Sequence, residues 1–353
     1  MSRRRAEAAL IGNTIVWGAT FTVVKETIRS VSPILFLALR FAVATAALAA
    51  YFHFRGREAL RARIRANSWR LGSEPRPKGV PDGPRWATQG DEALVRRHNE
   101  INNLDLRFNG AVTAWPAGAL IGAFLFSGYV LQTQGLRFTT APRSAFITGL
   151  ASVMVPLLGA LVYKTRPQVS EVVGVLVATA GLGLMTLPGA IGSAVPGYAP
   201  AYVMIARGDL LTLAGALAFA AHIVALGHFS ERMSFQFLSM MQVGSAAVLA
   251  LALCGWAEQP YAEWRPTVVC VILITGFLAT ALAFTIQAWA QQFTTSTRTA
   301  LIYMLEPVFA WMTSYVLAGE NLTGRAAVGA VLILGGVMLV ETKPLYPRLH
   351  PSE

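Results

Sequence analysis

Ten stretches of this chain are long and apolar enough to cross a lipid bilayer, and they constrain its fold more than any other feature. They run over residues 8–24, 33–54, 113–134, 142–163, 169–187, 209–227, 235–256, 266–290, 299–318 and 323–341. A helix rises about 1.5 Å per residue, so roughly 17–25 apolar residues cross ~30 Å of hydrocarbon. Inside that layer a segment must satisfy its own backbone hydrogen bonds, which selects helices. Only 13% of the 353 residues are charged, against about 25% in a soluble domain. The expected fold class is an all-α membrane protein with ten transmembrane helices.

The net charge of +11 is a topology signal rather than a nucleic-acid footprint. Arg3, Arg4 and Arg5 precede the first span, and 21 of the 29 Lys and Arg fall on one side when alternate loops are counted. Positive charge stays on the cytoplasmic side. This predicts cytoplasmic N- and C-termini and an inner-membrane, multi-pass protein. A basic start followed by an apolar run also fits a signal peptide, but no small-residue cleavage pattern follows Val24. Cys254 and Cys270 fall near the same outward helix ends, where a disulfide is geometrically allowed and two inert buried thiols are the simpler reading. The five scattered histidines offer no metal spacing, and no cofactor motif is present.

The chain repeats itself. From Gln132 to Leu184 it aligns without a gap to Gln287–Leu339, at a constant offset of 155, with twelve identities in 53 pairs. These include Gln132/Gln287, Thr139/Thr294, Thr140/Thr295, Arg143/Arg298, Gly174/Gly329 and Gly181/Gly336. The opening spans align at offset 202, pairing Trp17 with Phe219, Ser32 with Ser234 and Arg40 with Gln242. Two halves follow, 1–187 and 188–353, together one transport domain. Five spans is an odd number, so the second half enters the membrane upside down. Inverted repeats of this kind build secondary transporters, with the site near the midplane between the halves.

These features resemble the drug/metabolite transporter superfamily, in its EamA-type branch of ten-helix carriers. The stretches that carry the likeness are "WGATFTVVK" at 17–25, "LRFAVA" at 39–44, "LQTQGLRFTTAPRSAFITGL" at 131–150, "YMLEPVFA" at 303–310 and "LAGENLTGRAAVGAVLILGGVMLV" at 317–340. The resemblance implies export or import of amino acids, other metabolites or drugs. It does not cover the polar insert at 55–112, which is expected to be a cytoplasmic loop lying partly on anionic lipid.

Polar residues inside the spans mark the candidate site. A charge at mid-membrane costs about 2.5–3.5 kcal/mol on insertion scales, so such residues tend to meet a cavity or a partner. Glu306 lies near half-depth in span nine, and Pro307 after it removes a backbone donor. The pair reads as the wall of a central site, or Glu306 pins helices by pairing with Arg40 or a neighbouring hydroxyl. Arg40 holds a substrate carboxylate, pairs with Glu306, or snorkels outward. Asn13, Trp17 and Thr20 share one face of span one. Trp17 and Trp289 suit stacking on a planar substrate or packing between helices. Gln132 and Gln287 are repeat equivalents near opposite mouths, and Thr148 and Tyr303 are equivalents one turn before the Ala151/Glu306 level. His222 is placed either for proton coupling or for packing.

The function expected is a secondary active transporter of a small organic metabolite, such as an amino acid or drug-like compound, working by alternating access in the export direction. Its partners would be that substrate and the lipid bilayer. The alternative is a membrane-embedded enzyme acting on a lipid-linked substrate, which would call for a His/Asp or metal cluster that the spans do not show.

Overall fold

The computed structural model describes residues 3–70, 108–138, 144, 147–164, 168–186, 201–318 and 324–341. The boundary between the halves at 187–188, most of the 55–112 insert and the Thr-Thr…Arg motif at 139–143 lie outside these residues. The first half comprises α1 (Arg3–Thr27), α2 (Pro33–Arg70), α3 (Phe108–Gly135), α4 (Ala151–Tyr163) and α5 (Val169–Thr186). The second begins with α6 (Ala201–Ser230), α7 (Phe235–Ala257) and α8 (Pro266–Gly276). A π-helical segment (Phe277–Leu282) leads from α8 into α9 (Ala283–Ala290), and α10 (Ser296–Tyr303), α11 (Glu306–Ala318) and α12 (Gly324–Glu341) complete the chain. An isolated antiparallel bridge, Val31 to Ala262, ties the first turn to the loop before α8.

Five helical stretches qualify as membrane spans on length and hydropathy alone, among them Pro33–Phe54 and Pro266–Ala290. Shorter apolar helices at Ile147–Tyr163, Val169–Leu184 and Gly324–Val340 supply three more. Spans one and nine carry the polar interruptions read in the sequence. Leu157, Leu161, Val169, Leu210, Leu251, Val331 and Met338 are exposed. On a soluble monomer such a surface would be a large unpartnered patch; here it is the lipid contact.

The two inverted repeats interlock. α5 packs on α12, α3 on α6 and α7, α2 on α7 and α8, α1 on α9 and α11, and α4 on α6 and α10. Exchanging the halves maps this pattern onto itself, so that α1 against α11 becomes α6 against α4. Glycines set the closest approach: a Cβ on Gly174 would lie 2.8 Å from the Gly336 oxygen, and one on Gly336 2.6 Å from the Gly174 oxygen. Small residues allow this backbone contact where lipid provides no hydrophobic drive. Cys254 and Cys270 are both free, and only Cys254 is buried, which corrects the expectation of two buried thiols.

Candidate functional site

Span nine is broken at its centre. The Met304 and Leu305 amides donate three residues back, to the Leu301 and Ile302 carbonyls at 3.0 Å each, and a new helix starts at Glu306. Pro307 has no N–H to offer the Tyr303 carbonyl, and Glu306 stands in the first turn of α11, where the helix dipole favours a carboxylate. Span four breaks at the matching place, with the Leu150 amide donating to the Ile147 carbonyl at 3.1 Å. Ser152 stands there in place of Pro307, so proline is not the sole cause of the break. Gly18 seats α1 against the break: a Cβ there would come within 2.8 Å of the Glu306 carbonyl oxygen and 2.7 Å of the Ala310 nitrogen.

Between the halves lies a cavity of ≈ 210 Å³. Nine of the eleven residues singled out in the sequence line it: Trp17, Thr20, Arg40, Gln132, Thr148, His222, Gln287, Tyr303 and Glu306. Its walls reach Val24, Ile28, Phe36, Leu37 and Leu136, near the ends of α1 and α3 and the start of α2. The opposite end is closed by buried Gln291, Ser296, Arg298 and Thr299. There Arg298 pairs with Glu7 at 3.6 Å, and Glu7 also accepts from the Thr294 hydroxyl at 3.3 Å.

Two nominated residues fall elsewhere. Asn13 is buried and donates to the Ala283 carbonyl at 2.8 Å, tying α1 to α9. Trp289 packs on Phe293, with ring centroids 5.6 Å apart, in the apolar cluster with Leu10, Leu182 and Leu301. Gln287 and Trp289 are two apart on a helix, so they point to opposite sides, and Gln287 takes the cavity. Trp289 therefore packs between helices and is not among the residues that line the cavity.

Arg40 does not snorkel; it is buried at 5% exposure. Its Nε donates to the Thr280 hydroxyl at 2.6 Å, and its Nη2 donates to the Ala279 carbonyl at 3.0 Å and the Tyr129 hydroxyl at 3.2 Å. The guanidinium also sits 4.9 Å from the Tyr129 ring centroid. Nη1 remains without a protein partner among the described residues. Glu306 is half-buried and makes no hydrogen bond or ion pair among the described residues, so the helix-pinning pair with Arg40 is not formed. Both charges instead belong to the cavity wall.

The other polar groups are more fully occupied. Trp17 Nε1 donates to the Ala279 carbonyl at 2.8 Å, which leaves its ring for the cavity, edge-on to Tyr303 at 4.9 Å. Gln132 Nε2 donates to the Thr148 hydroxyl at 2.9 Å, an interhelical bond. The Thr20 hydroxyl bonds its own helix at the Val16 carbonyl. Nε2 of His222 lies 2.8 Å from Gln242 Oε1. Gln287 donates to Gln291 at 3.4 Å.

Of the aromatic lining, sequence reasoning named Trp17 and Tyr303 and missed Tyr129, Phe219 and Phe284. Tyr129 and Phe284 are repeat equivalents at offset 155, as Trp17 and Phe219 are at offset 202, and all four line the cavity. Trp17 meets Phe284 at 5.6 Å and Phe219 meets Tyr129 at 5.3 Å, two contacts between the halves that are related by exchanging them. The repeat offsets held the signal that would have found them.

An inverted ten-span bundle closed around one polar, aromatic cavity defines a membrane transporter. The model of the EamA-like transporter family matches residues 104–187 and 206–342, and the chain belongs to that family. An "Uncharacterized transporter" of Archaeoglobus fulgidus is 34% identical over 226 residues, covering 64% of this chain and 68% of the relative. A "Probable terminal-alkyne amino-acid exporter" of Streptantibioticus cattleyicolor is 26% identical, covering 67% and 76%. A solved structure titled only as a crystal structure of a protein shares the fold, with TM-score 0.67 at 19% identity over 96% of this chain and 97% of that one.

Proposed function

We propose that the protein is a secondary active carrier that exports a small zwitterion with a bulky apolar side chain, an amino acid or a close analogue, by alternating access. One observation carries this reading. Arg40 and Glu306 line the same cavity, each with hydrogen-bonding capacity left over, between walls of Trp17, Tyr129, Phe219, Phe284 and Tyr303. A carboxylate suits Nη1 of Arg40, an ammonium suits Glu306, and aromatic faces suit the remainder. With cytoplasmic termini in the inner membrane, the cavity reaches the outward face and the Glu7–Arg298 end is the closed cytoplasmic side. That is the release state of an exporter. The amino-acid exporter among the relatives supports the same class. Counterflow of labelled L-phenylalanine in proteoliposomes tests it: exchange above protein-free vesicles that is lost in Arg40→Gln is expected, and exchange indifferent to Arg40 refutes the assignment.

A further inference from the structure

We propose that Thr280 is a positioning residue for substrate recognition, holding the Arg40 guanidinium so that Nη1 is presented to the cavity. The inference rests on the reading of Arg40 as the carboxylate site.

The geometry starts with the π-helical segment. In a regular helix the Ala283 amide would reach the Ala279 carbonyl; here it donates to the Leu278 and Thr280 carbonyls. The Ala279 carbonyl takes side-chain donors instead, Trp17 Nε1 at 2.8 Å and Arg40 Nη2 at 3.0 Å. π-bulges recur at functional sites because they free and redirect such groups. The same widening lets the Thr280 hydroxyl donate five residues back to the Thr275 carbonyl at 2.9 Å. Arginine Nε can only donate, so at 2.6 Å the Thr280 oxygen must accept. Its proton is therefore committed to Thr275, and its lone pair to Arg40. The arrangement has one orientation of the hydroxyl, and Thr280 is itself wholly buried.

Close approach of the two helices makes this reach short. A Cβ on Gly276 would lie 2.7 Å from Val43 Cγ1 and 3.2 Å from the Arg40 carbonyl oxygen, so only glycine lets span eight come this near span two. With Nε on Thr280, and Nη2 on Ala279 and Tyr129, every guanidinium nitrogen except Nη1 is spent on protein. The two N–H groups left over both belong to Nη1, on a guanidinium held at its other two nitrogens beside the cavity. The first half holds no copy of this device. Leu125 occupies the position equivalent to Thr280, α3 runs without a π segment, and Gln242, equivalent to Arg40, contacts His222 instead. A purely architectural clamp would have served both halves of a symmetric bundle.

Thr280→Val keeps the shape of the side chain and removes the acceptor; Thr280→Ser restores it. Binding of L-phenylalanine and of L-phenylalaninamide to the purified full-length protein would be compared by calorimetry for wild type, Thr280→Val, Thr280→Ser, Arg40→Gln and the Thr280→Val/Arg40→Gln double variant. Wild type and Thr280→Ser are expected to prefer the acid over the amide by about 10- to 150-fold, the range of one charge-assisted hydrogen bond. Thr280→Val and Arg40→Gln should each lose most of that preference, and the double variant should be no worse than Arg40→Gln. Preference lost in Arg40→Gln but kept in Thr280→Val overturns the role of Thr280 alone. Preference kept in Arg40→Gln, or absent from wild type, overturns the carboxylate site and this inference with it. An equal loss for acid and amide in Thr280→Val marks a merely structural residue and also overturns it.

Discussion

Glu306→Gln separates a binding carboxylate from a structural one. Among the described residues no group hydrogen-bonds to the Glu306 carboxylate, so neutralising it breaks no hydrogen bond, and Arg40 keeps its bonds to Thr280, Ala279 and Tyr129. The amide is nearly isosteric and keeps its place in the first turn of α11. The expected change in stability is within roughly 1 kcal/mol, as for substitutions that break no network. The expected change in binding is larger. An ammonium on a carboxylate in a confined site is a charge-assisted bond of about 1.5–3 kcal/mol, or about 10- to 150-fold in affinity. Calorimetry with L-phenylalanine and with 3-phenylpropionate, which lacks the ammonium, isolates that bond. The variant should lose affinity for the amino acid and keep, or gain, affinity for the acid. A parallel loss for both ligands, or a large fall in melting temperature in detergent, would refute the reasoning.

The contrasting case is Glu7→Gln, which removes a carboxylate that pairs with buried Arg298 and with Arg3. Losing one partner of a buried pair costs about 3–5 kcal/mol, so a marked drop in melting temperature is expected, partly reversed in the Glu7→Gln/Arg298→Gln double variant. Gly18→Val forces a side chain against the α11 backbone. An overpacking cost of roughly 1–3 kcal/mol and reduced counterflow should appear together, whereas Ala220→Gly at the repeat-equivalent position should spare counterflow. Cysteines report the direction of the cavity: Leu136→Cys should react with an impermeant maleimide from outside and be protected by L-phenylalanine, while Ser296→Cys should resist reagent from either side. Reversed accessibility would show that the bundle is oriented the other way.

The fold was legible because hydrophobic length is summed over many residues, and the repeat offset of 155 survives as whole motifs. Individual side-chain directions were less so. The sequence "FLATAL" at 277–282 has nothing to distinguish a π segment from ordinary helix. Yet the extra residue of a π segment turns everything after it by about 100° relative to everything before it. Counting along span eight therefore could not say which of Gln287 and Trp289 faces the cavity. The break in span nine was visible at Pro307; its twin at Leu150 was not, since no proline marks it. Arg40 and Glu306 stood out as charges in apolar runs, but nothing in their sequence positions says that they line one cavity without forming an ion pair.

The chemistry is distributed unevenly over a nearly even scaffold, and the two facts belong together. Under the proposed alternating access, outward and inward states must have similar free energy, and interchangeable halves would supply this: the α5–α12 glycine contact maps onto itself when the halves are exchanged, and the pair Trp17–Phe284 maps onto Phe219–Tyr129. A chiral, asymmetric ligand needs the opposite, a site whose two ends differ. The repeat-equivalent positions inside the cavity do differ: Arg40 against Gln242, Glu306 against Ala151, His222 against Thr20. Cation and carboxylate come from different halves, so a rocking motion of one half against the other changes their separation. A zwitterion bridging them would hold the halves together only in the conformations where both ends fit, which couples occupancy to the transition. A bridging zwitterion should therefore accelerate the switch in Leu136→Cys accessibility, and L-phenylalaninamide and 3-phenylpropionate, each satisfying one end, should not.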